Sequence, residues 1–318
     1  MPTFRATFTP YTHTRALADG AVDLAGGHLE FVRTDPIIRA YREMVRELAY
    51  DIAELAPTTY LMARASGVPV VAIPVFTKRQ FHHGHILCHP ESGIRIPQDL
   101  AGRKVGVRAY SVTTGVWVRG LLSDDFDVDP DRIEWVTDDE EHVSNYAAPA
   151  NVHAAPAGES LVGLLRDGRI DAALTGNAGV GRTGAPKAGW QQAEAAPAYS
   201  LFGTPEPLER DWYRRTGIYP IHAVITLREE LVRQHPDLPT ELYRAFSAAK
   251  KGADDRDTLV AELAGASAIP AGEDPIPYGI EPNAASITAL VRYAHEQHLL
   301  AGPVEIESIF APGDYPTA

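Results

Sequence analysis

Short apolar runs alternate with amphipathic stretches along nearly all of this 318-residue chain, and that rhythm limits its folds more than any other feature. Continuous apolar runs of four to six residues read as strands covered on both faces, and the intervening stretches supply the covering helices. The pattern is therefore α/β with largely parallel sheets. FRATF (4–8), HLEFVRT (28–34) and YDIAEL (50–55) read as the first three strands. Residues 12–20 read as a helix ending at Gly20, and Pro36 opens a helix with Ile37, Ile38, Tyr41, Val45 and Leu48 on its apolar face. Pro57 suits the first turn of a helix through TTYLMARASG that stops at Gly67. PVVAIPVF and HGHILCH follow as two strands. KVGVRAY (104–110) is a buried strand leading to a helix that begins at SVTTG, and RIEWV (132–136) is the next strand. Residues 145–158, rich in Ala and Pro, read as a loop. ESLVGLLRDGR is a helix, IDAALTG (170–176) a buried strand, and loops run to about 207. WYRRTGIYPIHAVITLREELVRQHP reads as turn, strand and helix, and the rest is helical apart from GEDPIPYGIEPN (272–283) and a tail.

Composition removes several function classes. With 29 Lys and Arg against 42 Asp and Glu the net charge is −13, so a nucleic-acid partner and an anionic lipid surface are not expected. No apolar run approaches the roughly 20 residues of a membrane-spanning helix, and the first residues lack the basic and apolar segments of a secretory signal. Cys88 is the single cysteine, which excludes an internal disulfide and a multi-cysteine zinc site. The expectation is a cytoplasmic protein with a small-molecule partner and no membrane; self-association into a homo-oligomer is left open.

A coarse two-part rhythm is superimposed. One set of strand–helix units ends near 90, a second runs from about 94 to 215, and the chain then returns. This predicts two lobes, residues 1–90 with 218–318 and residues 91–217, crossed at HGHILCH and IYPIHAVIT, with the ligand in the cleft between them. The unit DLAGRKVGV, TTGVWVRGLL, VDPDRIEWV and LLRDGRIDAAL resembles the type II periplasmic-binding-protein fold. More specific segments, EL followed by TTYLMARASG, PVVAIPVFTKRQFHHGHI, GVWVRGLL, WYRRTGIYPIHAVITLRE, ELYRAFSAAK and DPIPYGIEPN with LVRYAHEQHL, are similar to the 4,5-dihydroxyphthalate decarboxylase family over roughly residues 3 to 312. The chain departs from the family pattern near Ala223, where the resemblance implies a histidine and this sequence has His222 instead. The resemblance implies two lobes, each a mixed, mostly parallel sheet flanked by helices. It also implies removal of a carboxylate from a hydroxylated aromatic acid. A carboxylate-binding protein without turnover, or another lyase on the same scaffold, are the alternatives.

Such a decarboxylation has a plain difficulty. The carbanion left by CO2 loss lies in the ring plane, where the π-system cannot stabilise it, so the ring carbon must be protonated first. The site then needs a general acid tuned toward neutral pH, which favours His or a buried Glu. His82, His83, His85 and His89 crowd into one segment; on a strand, His83 and His85 would share a face with His82 opposite. His82, His83, His222 and His13 are the histidine candidates. Glu54, at the end of the third strand, is a general acid or base or a helix cap. Anchors for carboxylate are Ser111, Thr113 and Thr114, at a strand-to-helix junction, with Arg108 just before them and Arg79 (less so Lys78) before the His cluster. Thr9, Tyr11 and Thr12 follow the first strand, where Tyr11 could stack on an aromatic ring or bond a phenol. Tyr213 is a weaker candidate, Arg214 and Arg215 read as solvated, and Asn177 is a modest one. Trp117 and Trp135 read as core, and Asp138 to Glu141 as a solvated acidic loop. Neither HExxH nor CxxC occurs, so no cofactor is expected; a divalent ion on His83, His85 and Glu54 is the alternative.

Overall fold

The computed structural model describes residues 1–182, 196–253, 256–263 and 265–316. In chain order the elements are β1 (Thr3–Thr7), α1 (Arg15–Ala18), β2 (His28–Phe31), α2 (Ile38–Glu47), β3 (Ile52–Leu55), α3 (Pro57–Ala65), β4 (Val70–Ala72), β5 (Lys78–Arg79), β6 (Ile86–Cys88), β7 (Lys104–Val107) and α4 (Thr113–Phe126). There follow β8 (Glu134–Thr137), β9 (Val152–Ala154), α5 (Leu161–Arg166), β10 (Ala172–Leu174), β11 (Tyr199–Ser200), α6 (Glu206–Thr216), β12 (Ile221–Arg228), α7 (Glu229–Gln234), α8 (Leu238–Lys251), α9 (Arg256–Glu262) and α10 (Ala284–Glu296).

The chain divides into two compact units. Unit 1 is Met1–Phe81, Arg210–Arg292 and Gly302–Ala318; unit 2 is His82–Glu209 and Tyr293–Ala301. The first boundary lies at 81 rather than 90 because β6 pairs with β10 and β11, the second sheet. The chain changes unit four times rather than twice, and the last two changes fall at Arg292/Tyr293, inside α10, and at 301/302.

Unit 1 is built on a sheet ordered β2-β1-β3-β12-β4, with β5 also on β12. β1 pairs in parallel with β2 and β3, whereas β12 runs against β3, β4 and β5. All four residues of β3 are buried, as a strand covered on both faces requires. On α2, Ala40, Tyr41, Met44 and Val45 form the buried stripe. On α8, the spacing of Leu238, Leu242, Tyr243, Ala245, Phe246 and Ala249 does the same, and Phe246 meets Phe8 at 5.2 Å between ring centroids. Pro57 opens α3, and Gly67, at φ +82°, takes the left-handed turn after it.

Unit 2 has the sheet β11-β6-β10-β7-β8-β9, in which β7, β8, β9 and β10 are parallel and β6 is reversed. The apolar faces of β8, α5 and β10 meet in a cluster of Val136, Leu161, Leu164, Leu165, Ile170 and Ala173. Ser160 caps α5 by accepting from the Gly163 N–H. The first ten residues of α4 are all buried, and Tyr293 lies so close that a Cβ on Gly120 would stand 2.3 Å from its ring.

Three local expectations change. Residues 83–85 form a 3₁₀ turn ahead of β6, so HGHILCH is not one strand. Residues 145–158 contain β9, which pairs with β8 at the sheet edge. Its half-exposed VHA gives no apolar signal. WYRR lies on α6 rather than in a turn.

Candidate functional site

Donors from the loop after β1, from α2 and from the segment between β4 and β5 converge on one buried carboxylate of β3 in unit 1. Glu54 is 1% exposed. It accepts from the Thr9 N–H at 3.1 Å, the Thr9 hydroxyl at 3.2 Å, Tyr41 OH at 3.1 Å and the Thr77 hydroxyl at 2.9 Å. Burial pushes its carboxyl pKa up and the four donors pull it down; burial prevails. Lys78 lies close enough for Glu54 to favour its charged form, yet burial holds its pKa below the ordinary lysine value.

The loop of residues 9–14 is folded by its own hydroxyls and by two carboxylates. Thr14 donates to the Thr9 carbonyl at 2.8 Å, and Glu262, the last residue of α9, takes the Thr12 N–H at 2.9 Å and the Thr12 hydroxyl at 2.8 Å. Tyr11 and His13 stack in this loop, 5.5 Å apart and 3° from coplanar. Burial lowers the His13 pKa to about 4 against the opposing pull of Glu262, so the ring is neutral at physiological pH. Both of its nitrogens are buried without a well-formed hydrogen bond. Tyr278, fully buried, faces His13 at 6.4 Å and carries Lys250 over its ring at 4.8 Å; Lys250 in turn pairs with Asp274.

Arg79 is 2% exposed. Its Nη1 donates to the Tyr219 carbonyl at 2.7 Å, and the guanidinium lies 5.8 Å from the Phe76 ring and 5.7 Å from the Tyr219 ring. Its Nε and Nη2 are buried without partners, and no described carboxylate forms an ion pair with it. Burial lowers its pKa to about 10. Glu54, His13, Thr9, Tyr11 and Arg79 thus all belong to unit 1. So does His222, half-buried where the β5–β12 register shifts between Ile221 and Ala223.

His82, His83, Arg108, Ser111, Thr113, Thr114 and Asn177 lie in unit 2. His82 and His83 are buried on the 3₁₀ turn, so the alternating faces expected of a strand do not apply. The His82 ring lies 5.1 Å from His85 and, nearly parallel, 6.5 Å from Trp117; His83 meets Phe202 edge-on at 6.2 Å. Thr113 and Thr114 are buried in the first turn of α4. The junction before them already holds a carboxylate. Glu141 accepts from the Tyr110 N–H at 2.7 Å, the Ser111 N–H at 3.3 Å and the Ser111 hydroxyl. Arg108 is likewise engaged. Nε donates to the Asn177 carbonyl at 2.9 Å, and Nη1 lies 3.3 Å from Asp139 and 3.4 Å from His142.

The acidic run is therefore not a solvated loop. The side chains of Asp138 and Asp139 are 3% and 6% exposed and face Arg182 at 3.3 and 3.5 Å. Arg214 and Arg215 are exposed as expected, paired with Asp211, while Tyr213 donates to Glu273 at 2.5 Å. Glu54 lies in unit 1 and His83 and His85 in unit 2, and among the described residues no group of three or more His, Cys, Asp or Glu is placed to hold a metal. No helix among them is long and apolar enough to cross a membrane.

Sequence reasoning missed Tyr41, Thr77, Glu262, Lys250, Asp274 and Tyr278 around the unit 1 cluster. Asp274 and Tyr278 lie in DPIPYGIEPN, a segment already singled out, and a loop so rich in turn residues was a signal that could have been followed. Glu262 sits on an otherwise ordinary helix and offers none.

A family model described as the periplasmic substrate-binding protein of a phosphonate ABC transporter matches residues 32–183. The periplasmic aliphatic sulphonate binding protein SsuA from Escherichia coli superposes with a TM-score of 0.54 at 13% identity, covering 98% of each chain; this likeness concerns the fold. A protein of Comamonas testosteroni named 4,5-dihydroxyphthalate decarboxylase is 34% identical over 248 residues, 76% of this chain and 72% of the relative. One of the same name from Pseudomonas putida is 33% identical over 213 residues, 64% of this chain and 78% of the relative. On the two-sheet periplasmic-binding-protein scaffold described above, this chain belongs to the 4,5-dihydroxyphthalate decarboxylase family, a family of carbon–carbon lyases.

Proposed function

We propose that this chain is a cytoplasmic, non-oxidative decarboxylase of a hydroxylated aromatic acid of the phthalate or benzoate type. The observation that carries this reading is Arg79, a buried guanidinium with two unpartnered donors and no ion pair among the described residues, in the same unit as a buried acid with a raised pKa. A buried cation without a counter-ion is costly in the free protein, and a ligand carboxylate supplies the missing partner with bidentate geometry. The sequence relatives named as decarboxylases support the reaction class.

In this reading Arg79 holds a carboxylate, and Tyr11 packs on the ring or bonds its phenol. Glu54, kept toward its protonated form by burial, gives its proton to the ring carbon that bears the departing carboxylate. The phenol oxygen supplies electron density as that carbon becomes tetrahedral. The C–CO2 bond then breaks, its electron pair returns to the ring and restores aromaticity, and CO2 leaves. Neutral His13 suits relay of the replacement proton to Glu54. His222, His82 and His83 are the other candidates for proton transfer, and Thr9, Ser111, Thr113, Thr114 and Arg108 those for binding.

The test is CO2 release from a panel of dihydroxylated benzoates and phthalates in D2O. The product should carry one deuterium at the vacated ring carbon. Recovery of every compound unchanged would refute the reaction, and a tightly bound, unaltered acid would favour a binding protein. Fractionation against a periplasmic marker tests the compartment.

A further inference from the structure

The loop of residues 9–14, which carries Tyr11 and His13, is pinned by carboxylates at two points. Near its start Glu54 takes the N–H and hydroxyl of Thr9. Farther along, Glu262 takes the N–H and hydroxyl of Thr12, one oxygen for each, from 250 residues away in sequence. His13 follows Thr12 directly. Its ring nitrogens complete no well-formed hydrogen bond beyond a loose one to the Thr77 main chain, so the imidazole is placed largely by its packing against Tyr11 and Tyr278 and by the path of the backbone that delivers it.

We infer that Glu262 is a positioning residue: through its two-point hold on Thr12 it sets the His13 imidazole in place for proton transfer. The inference rests on the function proposed above and deepens it. A carboxylate is suited to this task because each oxygen accepts from a different Thr12 donor. A glutamine keeps the N–H bond through its Oε1 only by turning its NH2 to the Thr12 hydroxyl oxygen, which reverses that bond and removes the charge that strengthens both.

The groups that face His13 come from several elements. They are Tyr11 on its own loop, Glu262 on α9, Lys250 on α8, Asp274 and Tyr278 on the segment before α10, and the Thr77 backbone. Glu262, Asp274 and Thr77 favour the protonated ring, whereas burial and Lys250 disfavour it, and Glu262 is the strongest of the favouring groups. Removing its charge should therefore move the His13 titration to lower pH as well as loosen the loop.

The experiment compares Glu262→Gln, Thr12→Val and Thr12→Ser in the full chain. It reads kcat and KM on an aromatic acid and, independently of turnover, the His13 imidazole titration by NMR. Thr12→Val, which deletes the hydroxyl contact, should lower kcat by about 10- to 100-fold, as expected of a small displacement of a reacting group, and Glu262→Gln by about threefold or more, with KM within about threefold in both. Thr12→Ser, which keeps both donors, should be near wild type. The His13 titration should fall in Glu262→Gln and stay closer to wild type in Thr12→Val. A kcat within twofold of wild type in both impaired variants, or an unchanged His13 titration in Glu262→Gln, overturns the assignment. If the wild-type protein decarboxylates nothing, the proposed function fails on its own, and the NMR titration still decides whether Glu262 governs His13.

Discussion

Replacing Arg79 with Met should separate what holds this fold together from what binds its ligand. The variant keeps an unbranched apolar stem and removes the guanidinium. It loses one charged hydrogen bond to the Tyr219 carbonyl, at 2.7 Å, worth about 1.5–3 kcal/mol. That carbonyl is not orphaned, because the Ser286 hydroxyl also donates to it at 3.0 Å. The contacts with the Phe76 and Tyr219 rings add about 0.5–1 kcal/mol each. On the other side, Nε and Nη2 are buried without partners, and an unsatisfied buried donor costs about 1–3 kcal/mol. These contributions nearly cancel, so Arg79→Met should shift stability by no more than about 2 kcal/mol in either direction. Carboxylate binding should respond quite differently. Losing one partner of a buried charge pair costs about 2–5 kcal/mol, or roughly 30- to several-thousand-fold in affinity. Thermal unfolding without ligand and calorimetric titration with hydroxylated benzoates measure the two effects separately. A variant that unfolds, or loses more than about 4 kcal/mol, while its affinity stays within threefold, would show that Arg79 serves the fold and not a ligand.

Three further outcomes are expected. Glu54→Gln keeps an acceptor for the Thr9 N–H, and the hydroxyls of Thr9, Thr77 and Tyr41 can turn to meet the new amide, so stability should fall by only about 1 kcal/mol. Decarboxylation should fall by about 10²–10⁴-fold, and a kcat within threefold of wild type would remove Glu54 from the chemistry. His13, with its pKa lowered from 6.5 to about 4, binds its proton more weakly folded than unfolded. Stability should therefore be intact above pH 6.5 and decline by about 3 kcal/mol as the pH falls to 4, and this part of the decline should vanish in His13→Phe. Unfolding midpoints with the same pH slope in both proteins would contradict the buried neutral ring. Gly120→Ala would place a methyl carbon 2.3 Å from the Tyr293 ring on the buried part of α4, so it should cost about 1–3 kcal/mol, read as a lower melting temperature.

The sequence made the layers legible because burial on both faces of a strand leaves a local mark: IAEL and KVGV are apolar runs whatever lies around them. Glu54 was legible from its place, at the end of such a run just before a helix start. The histidines were not. Their faces were inferred from strand periodicity, and a 3₁₀ turn over residues 83–85 cancels that inference without altering the hydrophobicity of the segment. Arg79 and Arg108 read alike, each an arginine at the end of an apolar stretch, and their difference is set by residues far away in the chain. Arg108 meets Asp139, 31 residues on, whereas no described carboxylate forms an ion pair with Arg79 and Asp274 acts on it only from a distance. The acidic run looked solvated because nothing local marks Arg182 as its partner.

One local arrangement recurs and links these cases. Thr9 on Glu54, Thr12 on Glu262 and Ser111 on Glu141 each give a main-chain N–H and their own hydroxyl to a single carboxylate of the same chain. A hydroxyl residue whose N–H is free of sheet or helix bonding is a ready receptor for an anion; the sequence reading assigned Ser111 to a substrate on that ground, and Thr9 from its place in the loop after the first strand. The protein answers those demands internally, with part of the acidic surplus that appears in its net charge of −13. Internal carboxylates also neutralise Arg108 and Lys250. Arg79 is buried as deeply as any of these groups, yet no described carboxylate comes to it. With none of the described acids paired to this one buried guanidinium, the position is suited to an anion from outside, and this is the physical argument for proposing Arg79, rather than the junction at Ser111, as the carboxylate anchor.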